Sequence, residues 1–98
     1  MSKPATGKPK KVVRDVRIVN KLGLHARPAS LLAKLAGKYR ADIHIRKGND
    51  QVNAKSIMGI ITLAAGPDTV LRFQASGPDA DEALEAISNL VEEKFGED

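Results

Sequence analysis

Apolar and polar positions alternate from Val12 to Ile18, with Val12, Val16 and Ile18 on one side and Arg17 on the other. That period of two predicts a half-buried β-strand. Asn20-Lys21-Leu22-Gly23-Leu24 breaks it, and from Ala26 the spacing changes. Ala29, Leu32, Ala33 and Ala36 fall at i, i+3, i+4 and i+7, with Ser30, Lys34 and Lys38 opposite, which is the period of an amphipathic helix. Pro28 fits the first turn of that helix, where a missing N–H costs nothing, and Gly37 lies near its end.

Ala41, Ile43 and Ile45 then alternate with Asp42, His44 and Arg46, a second strand. Lys47-Gly48-Asn49-Asp50 reads as a turn, and Val52 marks a short third strand. Ile57, Ile60, Ile61 and Ala64 share one face of a second helix. Gly66-Pro67-Asp68 is a loop, and Leu71, Phe73 and Ala75 alternate with Arg72 and Gln74 in a fourth strand. The last helix carries Ala80, Ala83, Leu84, Ile87 and Val91 as its apolar stripe, with Asp79 as N-cap and Glu82 as capping-box partner. The order βαββαβα, with one apolar face per strand, predicts an α/β (α+β) fold. We expect an open-faced sandwich: a four-stranded, mainly antiparallel sheet with three helices on one face.

Residues 1–11, MSKPATGKPKK, contain four lysines and no apolar period. They read as a flexible basic tail on a single domain spanning 12–98. The tail resembles neither a secretory signal nor an anchor, and no stretch approaches the length of a membrane span, so a cytoplasmic protein without membrane insertion is expected. Charge is polarised. Residues 12–78 hold 11 basic and 4 acidic side chains, whereas residues 79–98 hold 1 basic and 8 acidic. A basic front of this kind favours an acidic partner or a phosphate. The absence of cysteine excludes disulfides and thiolate metal sites, and two histidines without paired acidic ligands make no case for zinc.

The candidate chemistry lies at the junction of the first strand and the first helix. His25 falls at or beside the helix N-cap. The first backbone N–H groups of a helix, here those of Ala26 and Arg27, lack internal partners and with the helix dipole form an anion site. Arg27 adds a guanidinium suited to phosphate oxygens. The positive helix end favours the neutral, nucleophilic imidazole. Such a constellation can receive a phosphoryl group and stabilise it, although a histidine beside a helix start also serves as a plain surface or capping residue. His44 falls on the polar face of its strand and reads as an exposed strand residue.

Gly23-Leu24-His25-Ala26-Arg27-Pro28-Ala29 resembles the active-site motif of the HPr family, the histidine-containing phosphocarriers of bacterial phosphotransferase systems. Asn53-Ala54-Lys55-Ser56-Ile57-Met58-Gly59 resembles the regulatory-serine region of that family, and the likeness extends over about residues 12–95. The resemblance implies a carrier protein and not an enzyme, phosphorylated on Nδ1 of His25 by enzyme I charged from phosphoenolpyruvate, with delivery to an enzyme IIA domain. Arg27 and the amides of Ala26 and Arg27 are the implied phosphate-stabilising groups. A monomer with no cofactor, no metal and no nucleic-acid partner is expected.

Details point to two branches of the family. Asn20-Lys21-Leu22-Gly23 is similar to NPr, the nitrogen-related carrier, with Leu22 where many sugar-transport members place a small polar residue. The Lys55-Ser56-Ile57-Met58-Gly59 segment is similar to carriers controlled by a serine kinase, and Gly66-Pro67-Asp68 lacks the Lys-Gly pair common in the family. The pathway stays open, including a mainly regulatory protein of either kind. Ser56 precedes a helical period, so it reads both as an N-cap and as a regulatory site that would add a serine kinase or phosphorylase as a partner. Leu22, Leu24 and Met58 are candidates for an apolar docking patch around His25; Leu24 fits ordinary packing at the edge of the core equally well. A small RNA-binding domain is the competing class, weakened by the lack of a row of stacking aromatics on the sheet.

Overall fold

The computed structural model describes residues 11–97. The basic tail thus lies outside them except for Lys11, which is the first residue of β1 and belongs to the domain. The elements run β1 (Lys11–Arg17), α1 (Ala26–Ala36), β2 (Asp42–Lys47), β3 (Asp50–Asn53), α2 (Ile57–Thr62), β4 (Val70–Ser76) and α3 (Ala80–Glu92), followed by a 3-10 turn over Lys94–Gly96. The four strands form one sheet in the order β1-β4-β2-β3, and every neighbouring pair is antiparallel.

Alternation in the sequence decides which face of the sheet is covered. Val16, Leu71, Phe73, Ala75, Ile43 and Ile45 point one way and are buried. Register places Phe73 beside Ile45 and Ala75 beside Ile43, so one apolar layer runs across β4 and β2. Against it pack Ala29, Leu32, Ala33 and Ala36 of α1 and Ala80, Ala83, Leu84, Ile87 and Val91 of α3. Full burial of each large apolar side chain contributes about 1.5–3 kcal/mol, and this layer accounts for most of them. The other face of the sheet is open, and carries Val13, Asp15, Arg17, Arg46, Val70 and Arg72, all exposed. It presents no Phe, Tyr or Trp. Among the described residues no helix is long and apolar enough to cross a membrane.

Three local expectations need correction. The face that the spacing picks out on α2 is only half inward: Ile60 is buried and Ile61 packs against the core, but Ile57 is 43% exposed and Ala64 lies beyond the helix in a left-handed conformation. Six residues are too few for a helical period to fix a face. His44, expected to be exposed, is half-buried between its strand partners Gln74 and Asn53. Asp79 is the N-cap residue of α3 but makes no side-chain cap bond, and so forms no capping box with Glu82. Its carboxylate instead accepts the backbone N–H groups of Arg40 (2.8 Å) and Ala41 (2.9 Å), tying the α1–β2 connection to the start of α3.

The Arg40 N–H is the main cause that holds the Asp79 carboxyl below its ordinary range, against the opposing effect of burial and with help from Ala41 and the Lys55 charge. A depressed folded-state pKa gives stability that is fully present above the ordinary carboxylate value and lost as pH falls through the depressed one. Asp79→Asn is therefore expected to melt at a lower temperature near neutral pH and to lose less on acidification than the unsubstituted chain. Thermal melts across the acidic range check this; parallel losses in both proteins would deny Asp79 a share in acid sensitivity.

Candidate functional site

The site is built where the segment after β1 turns back into α1. Ile18 extends the pairing of β1 by bonding to Thr69 and Asp68 (2.9 and 2.7 Å). The chain then tightens into a turn, with Gly23 N–H donating to the Asn20 carbonyl. Gly23 has φ +67°, and a Cβ there would lie 2.4 Å from the Ala65 carbonyl oxygen and 2.8 Å from the Gly66 Cα. Only glycine allows both this conformation and this approach. The next N–H, that of Leu24, donates to the same Ala65 carbonyl, so the segment is clamped against the residues that follow α2.

His25 is the N-cap of α1, with extended backbone (φ −79°, ψ −170°) and a carbonyl that accepts the Ala29 N–H at 3.0 Å. Its ring makes no cap bond. Pro28, third in the helix, has no N–H to offer. The donors left without a helical partner are those of Ala26 and Arg27. The histidine thus stands directly beside two free amides at the positive end of an 11-residue helix.

A residue missed by the sequence reading completes the cluster. After α3, Lys94 and Phe95 take left-handed conformations (φ +58° and +54°), and the Phe95 side chain is buried. Non-glycine residues held this way cost about 1–3 kcal/mol each and persist where surrounding contacts fix them. Here they turn Glu97 back over the start of α1. Glu97 Oε2 lies 3.0 Å from His25 Nε2 and accepts from Arg27 at 3.2 Å, while Oε1 accepts from Asn20 Nδ2 at 3.0 Å. Arg27 also donates to the Phe95 carbonyl at 2.9 Å. Burial opposes a charge on Glu97, but the Asn20 amide, the His25 ring and the Arg27 guanidinium together outweigh it and hold the carboxyl below its usual range.

Asn20 is fully buried, and its Nδ2 also donates to the Gly23 carbonyl at 2.9 Å. Its Oδ1 has no partner among the described residues, a cost of about 1–3 kcal/mol in a buried amide. The only sequence signals for this arrangement were the polar Asn20 at an otherwise inward-facing position and the lone aromatic Phe95 in an acidic segment.

The remaining candidates fall in different places. Ser56 is the N-cap of α2, and its Oγ accepts the Gly59 N–H at 3.0 Å. Leu22 and Met58 are 72% and 68% exposed. Leu24 is 4% exposed and belongs to the core, so it is removed from the docking patch: the backbone clamp at Gly23 turns its side chain inward.

A family model described as "PTS HPr component phosphorylation site" matches residues 12–93. Phosphocarrier protein HPr of Cupriavidus necator is 44% identical over 84 residues, covering 86% of this chain and 94% of that protein. Phosphocarrier protein NPr of Shewanella violacea is 45% identical over 87 residues, covering 89% and 96%. The crystal structure of an HPr from Thermoanaerobacter tengcongensis superposes with a TM-score of 0.83 at 46% identity, covering 91% of this chain and 98% of that one. A histidine beside the free amides of a helix start, carried on this sheet and in this sequence, makes the chain a member of the HPr family, the phosphocarrier proteins of phosphotransferase systems.

Proposed function

We propose that His25 is the residue that carries the phosphoryl group. It accepts the group on Nδ1 from enzyme I charged by phosphoenolpyruvate and passes it to an enzyme IIA domain. The observation that carries this reading is the half-exposed His25 ring standing beside the free amides of Ala26 and Arg27 and the Arg27 guanidinium. These groups oppose the negative charge of three phosphoryl oxygens. The protein is consumed and regenerated as a stoichiometric carrier, acting in the cytoplasm where phosphoenolpyruvate is made. Every group named belongs to one chain, so a single copy holds the whole site. The test is incubation with phosphoenolpyruvate and enzyme I, followed by location of the modified residue under non-acidic conditions. A phosphoester on serine in place of a phosphoramidate on His25 would overturn the assignment.

Partner docking uses the exposed apolar side chains Leu22 and Met58, with Ile57 beside them, framed by the basic front of the domain. An acidic protein surface with an apolar centre is the complementary shape. Arg27→Ala is expected to slow phosphoryl transfer by about tenfold or more, since a preorganised donor facing developing charge is lost. Its stability cost should be about 1 kcal/mol, the worth of the bond to Phe95. Rapid-quench transfer rates beside denaturant melts separate the two effects; a large stability loss with unchanged transfer would make Arg27 structural.

A regulatory role for Ser56 is the second reading, favoured by its place next to the exposed Met58. Ser56→Ala removes the acceptor for Gly59 N–H and should cost about 1 kcal/mol. Ser56→Asp keeps an acceptor and favours the helix start, so it should fold well. It should nevertheless accept phosphate from enzyme I more slowly, because it places negative charge where an acidic partner docks. Phosphorylation of Ser56 by a serine kinase would add still more charge. If Ser56→Asp and the Ser56-phosphorylated protein both react like the unsubstituted protein at low salt, where repulsion is least screened, Ser56 is a helix cap only.

A further inference from the structure

An ionised carboxylate accepts hydrogen bonds and cannot donate them. With Glu97 Oε2 3.0 Å from His25 Nε2, a neutral ring meets it favourably only when Nε2 carries the proton. In that tautomer the lone pair lies on Nδ1, and Nδ1 has no hydrogen bond to any described residue. Glu97 is itself held from two more sides, by Asn20 Nδ2 and by Arg27. The orientation of Asn20 is fixed in turn. A flipped amide would aim its oxygen at two acceptors, the Gly23 carbonyl and Glu97, whereas the observed one gives Nδ2 to both. Leaving Oδ1 buried without a partner is tolerated to keep that donor in place.

We propose that Asn20 and Glu97 are positioning residues for phosphoryl transfer, fixing His25 as the Nε2–H tautomer so that Nδ1 is the nucleophile. This rests on the reading of His25 as the phosphoacceptor. In the accepting step the Nδ1 lone pair forms the N–P bond while the bond from phosphorus to the donor group breaks, and the donor keeps that electron pair. Nε2 keeps its proton, so positive charge develops on the ring. The Glu97 carboxylate beside Nε2 opposes that charge, while Arg27 and the amides of Ala26 and Arg27 face the phosphoryl oxygens. In delivery the N–P electrons return to Nδ1 and the ring is neutral again, with the proton still on Nε2. A carboxylate behind a histidine plays the same part in proton-transfer triads, where it sets the tautomer and stabilises the imidazolium.

The test is nitrogen-15 NMR of the His25 ring in the unphosphorylated protein, at a pH where the ring is neutral and with no other protein present. The Nε2–H form is expected to predominate in the unsubstituted chain and to lose that predominance in Glu97→Ala. Glu97→Gln can still accept from Nε2 through its amide oxygen but carries no charge, so it should keep much of the tautomer bias and still transfer more slowly. The rate of phosphorylation by phosphorylated enzyme I should fall about tenfold in Glu97→Ala, a usual size for losing the group that orients a working imidazole. Asn20→Ala should move both readings the same way, provided its circular dichroism shows a folded protein; the Glu97 variants decide the matter if it does not. Predominance of Nδ1–H in the unsubstituted chain overturns the proposal. So does a Glu97→Ala variant whose transfer rate is unchanged. Phosphate found on a residue other than His25 would instead remove the reading on which the proposal rests.

Discussion

His25→Ala is expected to abolish phosphorylation by enzyme I while leaving the fold intact. Alanine has no nucleophile, and the only other imidazole, His44, lies in β2 with its strand neighbours Gln74 and Asn53 on the open sheet face. His44→Ala should therefore be labelled at the same rate as the unsubstituted chain. The label should be lost in acid and kept in base, since protonation cleaves a P–N bond and leaves a serine ester alone. Stability should barely change, because the His25 ring caps nothing and its contact with Glu97 is an exposed one. Label retained in His25→Ala, or lost equally in His44→Ala, would sink the assignment.

The second large effect is expected at Gly23, two residues before the histidine. Alanine there meets two separate penalties. A left-handed φ of +67° costs a residue with a side chain about 1–2 kcal/mol. The added carbon also falls 2.4 Å from the Ala65 carbonyl oxygen and 2.8 Å from the Gly66 Cα, and backbone atoms cannot swing aside as a side chain does. The loop must shift, and His25 shifts with it, away from Glu97. Gly23→Ala should thus cost more than about 2 kcal/mol and slow phosphoryl transfer as well. Gly48 supplies the control: its φ is +61°, yet nothing lies within 4 Å of an added Cβ. Gly48→Ala should show the conformational penalty alone, about 1 kcal/mol, with transfer unaffected. Denaturant melts of the two variants make the comparison, and equal losses would mean that the close approach at Gly23 is relieved at no cost.

Much of this architecture is legible in the chain because it depends on local periods. Ile43 and Ile45, or Leu71, Phe73 and Ala75, declare their face by alternation, and the stripe of α3 does so over 13 residues. The position of His25 is legible for the same reason, since a broken strand followed by a helical period and Pro28 marks a helix start. What local pattern cannot show is a contact across the chain. Glu97 meets Asn20, His25 and Arg27 only after the strained turn at Lys94 and Phe95, and in the sequence it is one more acid among several. Asp79 has the same history: the local signal for a cap is present, but two N–H groups from the α1–β2 connection compete for its carboxylate and win. Leu24 fits both a docking patch and the edge of the core in the sequence, and only the clamp to Ala65 decides for the core.

The pairing of β1 with β4 alone has a consequence for how the molecule comes to be made. Lys11 pairs with Ser76 and Arg17 with Val70, so the first strand has no partner until the fourth exists. Pairings this distant in sequence close late and slowly, because loop entropy must be lost before any contact is gained. On the ribosome, His25 emerges early, within a segment that has nothing to dock on. Asn20 and Arg27 then wait longer still, for Phe95 to bury itself and bring Glu97 back across the helix start. His25 is among the first parts of the domain to be synthesised and among the last to acquire its surroundings, so a chain interrupted before Phe95 carries the motif without the site.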